Sequence, residues 1–254
     1  MPWPRIQDGR LIAALLASLA ALAWCALWLG EGSTWGHALL HGGHTTHSGL
    51  DAPALAAVFV LGWTLMTMAM MLPASSPLIL LFHRMVSGRP HAGPLVALLI
   101  AGYLCVWALF GLAVHLLRRG LFAVMGAGPW LGRNAWAPAA VILLVAGLYQ
   151  FSPLKYACLE KCRSPFAFVV SRWRGNRPAS DALRLGAAHG VYCVGCCWSL
   201  MLVMFAVSAG SLAWMLALGA VMAAEKNFTW GRRLSVPVGV VLIAAAASIT
   251  LGGI

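Results

Sequence analysis

One short segment concentrates most of the soft-metal chemistry in the chain: His189-Gly190-Val191-Tyr192-Cys193-Val194-Gly195-Cys196-Cys197-Trp198. On a helix, His189, Cys193, Cys196 and Cys197 fall at i, i+4, i+7 and i+8 and share one face, which Met204 continues. That stripe sets an imidazole, three thiols and a thioether along one edge. Soft sulfur suits Cu(I), and Zn(II) when imidazole joins. Cysteine is also a small hydrophobe that lets helices approach closely, and Gly190 and Gly195 would serve such packing. Three cysteines within five residues, with a histidine one turn earlier, favour the metal reading, because polar groups inside apolar spans tend to be functional.

Four further groups add donors. Cys158 and Cys162 stand at i and i+4 and so share a helix face, among Lys155, Lys161 and Arg163; two thiolates so placed can hold one ion. The run Met66-Thr67-Met68-Ala69-Met70-Met71 offers thioethers, Met70 among them, although Met is also ordinary packing material. Glu225 is followed by Lys226, which leaves two readings: an ion pair at the membrane interface, or a carboxylate drawn into the metal site. His37, His41, His44 and His47 recur at steps of 4, 3 and 3, a pattern suited to capture of Cu(II), Zn(II) or Ni(II). Gly42, Gly43 and Gly49 argue instead for a loop in which those histidines are merely polar.

The elements that must position these groups are apolar. Of 254 residues, 61% are hydrophobic and only 9% charged, against about a quarter charged in a soluble globular domain. A polytopic all-α membrane bundle is the expected fold, because in lipid the backbone must satisfy its own hydrogen bonds. Seven runs read as helices: Leu11–Leu29, Ala54–Leu72, Leu95–Leu117, Trp136–Ala157, Leu185–Val207, Leu212–Ala224 and Leu234–Leu251. The second meets Pro73 and Pro77 and should kink or end there; the sixth is short. The first is too long for a signal-peptide core and bulky Trp24 precedes Cys25, so it reads as an uncleaved anchor. Cys25 and Cys105 read as small core residues. The domain reading is 1–53 for the anchor helix and its His-containing outer loop, 54–230 for a metal-binding membrane domain and 231–254 for a C-terminal transmembrane helix.

With the N-terminus inside, the inner segments hold 14 of the 17 Lys and Arg residues, and Arg118, Arg119 and Arg133 alone fall outside. Such a split sets an N-in, C-out orientation in a bacterial cytoplasmic membrane. It also puts Cys158, Cys162, His189, Cys193, Met70 and Glu225 at one depth near the cytoplasmic face. The net charge of +11 is better assigned to loops facing lipid than to nucleic acid. Six acids in all, with no glycine-rich phosphate loop and no Ser-His-Asp order, leave little for hydrolytic chemistry. The partners expected are the bilayer, a metal ion (copper ahead of zinc) and a membrane or periplasmic metalloprotein.

At Met68 to Pro73, Ser152 to Lys155 with Cys158, Cys162 and Arg163 to Pro165, Gly190 to Met204, and Trp214 through Glu225-Lys226, the chain resembles a bacterial family described as predicted metal-binding integral membrane proteins, a domain of unknown function. The resemblance runs from about Ala54 to Trp230 and implies a multi-helix membrane domain with a metal site made from these cysteines. Where that family often carries a Met-Asn pair, this chain has Gly210-Ser211, and the His-rich loop lies outside the pattern.

The leading expectation is a soft-metal transporter, donor or assembly factor. The alternative is a membrane thiol–disulfide oxidoreductase using Cys158/Cys162 and Cys193/Cys196, which the reducing side of the membrane disfavours. The charge split predicts that a periplasm-dependent reporter works at the C-terminus and a cytoplasm-dependent one at the N-terminus; C-terminal activity in the cytoplasm alone would remove one helix from the seven.

Overall fold

The computed structural model describes residues 6–30, 51–89, 91–125, 134, 136–206 and 212–252, and these form helices with no strand among them. In chain order the helices are α1 (Ile6–Gly30), α2 (Ala52–Ala74), α3 (Ser76–Val86), α4 (Ala92–Met125), α5 (Ala137–Tyr149), α6 (Pro153–Arg163), α7 (Pro165–Arg172), α8 (Pro178–Ala206), α9 (Leu212–Asn227) and α10 (Ser235–Gly252). A 3-10 turn, Gly231–Leu234, leads from α9 toward α10.

Local chemistry sets the boundaries. Asp51 caps α2, its Oδ1 accepting from the Ala54 N–H at 3.1 Å, with Pro53 in the first turn. Proline there gives up only a donor that has no helical partner. Helix α2 passes through Pro73 and stops at Ser75, and Pro77 occupies the first turn of α3, as the two prolines predict. Ser152 caps α6 through Leu154 N at 3.1 Å, and Pro153 opens that helix.

Five segments are long and apolar enough to cross a membrane: Gly9–Gly30, Ala52–Ala74, Ala92–Leu121, Pro178–Met204 and Gly231–Gly252. The run expected over Trp136–Ala157 is instead two helices, α5 and α6, bent by 66° at their junction; taken together they make a sixth candidate. The cause is Ser152-Pro153, where a cap and a missing N–H restart the helix. Helix α9 has 16 residues, about 24 Å of helix, short of a hydrocarbon core of about 30 Å. The described residues therefore give five or six apolar spans where the sequence suggests seven.

Helices α4 and α8 form the central pair, and two glycines let them meet at backbone distance. A Cβ on Gly102 would strike the Leu183 carbonyl oxygen, and one on Gly186 would strike the Leu99 carbonyl oxygen. Around this pair, α2 lies against α4 with α1 outside it, α5 and α6 lie against α8, and α10 packs on α5. Tyr103, Trp107, Phe59 and Phe82 are buried at the centre. Leu11, Leu22, Leu109, Leu117, Val141, Leu148, Val241 and Leu251 face outward, the inverse of a water-soluble surface and compatible with lipid contact. Cys25 and Cys105, expected in the core, are both exposed on this outer surface. A small apolar thiol facing outward costs nothing where the surroundings are apolar.

Gly186→Ala should cost roughly 1–3 kcal/mol or more by overpacking the α4–α8 contact, read as loss of resistance to unfolding in detergent, whereas Gly9→Ala, with open space beside it, should be neutral.

Candidate functional site

Helix α8 carries the sulfur stripe, and its cysteines are buried, as the shared helix face requires. Cys196 Sγ lies 3.2 Å from Cys197 Sγ and donates to the Cys193 carbonyl at 3.2 Å. Helix α6 brings the second pair alongside: Cys162 Sγ stands 3.9 Å from Cys196 Sγ. Cys158 lies against Gly195, where a Cβ would sit 2.5 Å from its sulfur, so that glycine makes room for α6. The two clusters, 31 residues and more apart along the chain, meet in space.

Cys193, in contact with Cys196 and Cys197, also borders a polar row. Lys226 Nζ of α9 donates to Cys193 Sγ at 2.9 Å and reaches Met71 Sδ of α2 at 3.6 Å. Tyr103 Oη of α4 is 3.0 Å from Cys193 Sγ, and Ser75 Oγ, at the end of α2, donates to Tyr103 Oη at 3.4 Å. His189 Nε2 meets Ser75 Oγ at 3.3 Å, its ring stacked on Tyr103 and edge-on to Phe168. Its Nδ1 is buried with no hydrogen-bond partner among the described residues. A buried nitrogen left unpaired carries a desolvation cost.

A second polar knot lies beside the first. Lys155 Nζ forms a fully buried ion pair with Glu225, at 2.7 Å to Oε1 and 2.9 Å to Oε2, and donates to Gln150 Oε1. Ser235 Oγ donates to Glu225 Oε1 at 2.8 Å. Arg163 donates to the Glu225 carbonyl, and at 3.1 Å to the Thr229 carbonyl.

The predicted residues divide accordingly. Cys162, Cys193, Cys196 and Cys197 come together, with Cys158 beside them. His189 is one step removed, joined through Ser75 and Tyr103. Met70 packs on Gly219 of α9, and Met204 is buried farther along α8. Glu225 neither pairs with Lys226 at an interface nor enters the sulfur cluster: Lys155 holds it. His37, His41, His44 and His47 lie outside the described residues. Tyr103, Ser75 and the thiol-facing role of Lys226 are missed by sequence reasoning. Adjacent helical residues point about 100° apart, so Glu225-Lys226 inside an apolar run already requires two separate partners, and that signal is present in the chain.

All seven cysteines are free thiols. Among the described residues no group of three or more His, Cys, Asp and Glu side chains is spaced to hold a metal ion. The sulfurs are packed against one another and would have to part slightly to admit one.

The all-helical build, the apolar spans and the buried sulfurs define a class, a helical protein that fits a bilayer and gathers soft donors in its interior. A family model, PpoB2, described as copper chaperone, matches residues 60–249, and the chain belongs to that family. No curated protein and no solved structure matches it.

Replacing Glu225 by Gln strands a buried ammonium and should cost about 3–5 kcal/mol, whereas Lys155→Met with Glu225→Gln should recover most of that loss; equal stability of the single variant and the wild type, by denaturant unfolding in detergent, would show that the pair fastens nothing.

Proposed function

We propose that this chain is a copper carrier of the bacterial cytoplasmic membrane that holds Cu(I) as cargo between α6 and α8, on Cys162, Cys193, Cys196 and Cys197, and passes it to a membrane or periplasmic metalloprotein. The observation that carries this reading is the meeting of Cys162 with Cys196 at 3.9 Å. Thiolates bound at about 2.3 Å to one tetrahedral ion stand about 3.8 Å apart, so this pair needs almost no rearrangement. The Cys196–Cys197 contact of 3.2 Å must open by about half an ångström to match that spacing. Soft sulfur favours Cu(I) over harder ions, in keeping with the copper chaperone family. Lys226 supplies the positive charge that a buried thiolate requires. His189, with its free Nδ1, and Met71 stand in reserve at the rim.

Competition titration with a Cu(I) chelator tests the shared site. Wild type should bind about one Cu(I) per chain; Cys158→Ser/Cys162→Ser and Cys193→Ser/Cys196→Ser should each lose nearly all affinity, and the quadruple variant little more, since residues acting as one unit are non-additive. Additive losses with more than one ion per chain would mean two independent sites. A reduced wild type that takes up no copper would leave the cysteines as packing.

A further inference from the structure

The cysteine cluster accounts for four sulfurs, but not for the methionines beside it. Met66, Met70, Met201, Met204, Met215 and Met222 are all buried, none more than 6% exposed. They sit on α2, α8 and α9, and α9 packs against both of the others. Their register is set by two contacts near the cysteines. Lys226 of α9 reaches Met71 of α2 and Cys193 of α8 with its ammonium, which joins the three helices beside the cysteines. Asn227 Nδ2 donates to the Ala74 carbonyl, and Met70 packs on Gly219, so α2 and α9 run the same way.

Away from the level of Cys193, residue numbers therefore fall along α2 and α9 and rise along α8. At about 1.5 Å per residue, Cys197, Met201 and Met204 follow one another along one face of α8 at steps of about 6 and 5 Å. Met66 and Met70 stand about 6 Å apart on α2, and Met215 and Met222 about 10 Å apart on α9. The α8 sulfurs thus recur within reach of side chains with three rotatable bonds, and the methionines of α2 and α9 flank them. Leucine would fill the same volume with a better-defined rotamer; what methionine adds is a soft, uncharged donor.

We propose that these methionines form a thioether ladder along which Cu(I) passes between the cysteine cluster and the end of the bundle at the start of α9. The proposal rests on the copper reading above. Each step is a ligand exchange: a Cu–S bond forms to the next thioether as one breaks to the last, copper remains Cu(I), and no electron or proton is transferred. Thiolates hold the ion; neutral thioethers, binding more weakly, release it onward. Gly219 lets Met70 pack directly on the α9 backbone, where a Cβ would sit 3.3 Å from its Cε.

The test uses the full chain in proteoliposomes, with Cu(I) kept reduced by ascorbate outside and a membrane-impermeant Cu(I)-binding dye inside. Met201→Leu and Met215→Leu conserve volume and should each cut initial uptake about tenfold, equivalent to about 1.4 kcal/mol of barrier. Cu(I) affinity measured in detergent should not change. Met201→Cys, which keeps a sulfur, should restore uptake, and Met85→Leu, on an exposed face of α3, should leave it at the wild-type rate. Wild-type uptake in the Met201→Leu/Met215→Leu double variant overturns the ladder, as does equal loss in Met201→Leu and Met201→Cys. A wild type that binds Cu(I) but passes none overturns the ladder and leaves the carrier reading standing; one that binds none removes both.

Discussion

The Lys155–Glu225 ion pair is the constraint on which the site depends. It is fully buried, and its groups come from separate elements: the Glu225 carboxylate accepts from Lys155 of α6 and from Ser235 at the start of α10, and Gln150, in the bend before α6, accepts from the Lys155 ammonium. Arg163 closes the same knot by binding the backbone of Glu225. A buried charge pair of this kind survives only when its remaining valences are met, and here they are. The consequence passes to the next residue. With Glu225 committed to α6 and α10, the backbone at the end of α9 has one orientation, and Lys226 is turned to Cys193 and Met71. The same Lys155 anchors α6, whose next turns carry Cys158 and Cys162 to α8. One electrostatic contact thus sets both edges of the sulfur cluster.

The outline of the fold was open to reading because hydrophobic runs and proline punctuation are local signals. The long helices fall where apolar runs were marked, and α2 and α3 divide beside Pro73 and Pro77. The bend at Ser152-Pro153 was also written in the chain, but the apolar residues on both sides hide it from a window average. The count of spans departs from seven for that reason and because α9 is short. The grouping of Cys193, Cys196 and Cys197 follows from helix periodicity alone. Their meeting with Cys162 does not, since lateral neighbours are set by packing between distant segments, here by Gly195 making room for Cys158. Tyr103 and Ser75 carried no pattern that could mark them: an isolated tyrosine and an isolated serine become a row only when α2, α4 and α8 are assembled.

The polar row from His189 through Ser75 and Tyr103 to Cys193 gives the cluster two unlike sides. Toward α6 it is all sulfur, and toward α2 and α4 it is hydroxyl, imidazole and ammonium. An ion on the sulfur side meets soft donors only. On the other side, Lys226 repels any second cation while its charge balances the sulfur. On the proposed carrier reading, that arrangement favours a single Cu(I), without a carboxylate in the cluster.

The close approach of α4 and α8 has a mechanical consequence. At Gly102 and at Gly186 each helix backbone lies against a carbonyl of the other, so neither can slide or turn without driving atoms into overlap. The two helices act as one stave, a stator against which the remainder must move. Helix α6 is held differently: it is short, joined to α5 through a 66° elbow, seated on α8 through sulfur and a glycine, and tied to α9 by Lys155 and Arg163. Between the fixed α4–α8 stave and the Lys155–Glu225 bolt, the sulfur cluster is therefore clamped from both sides.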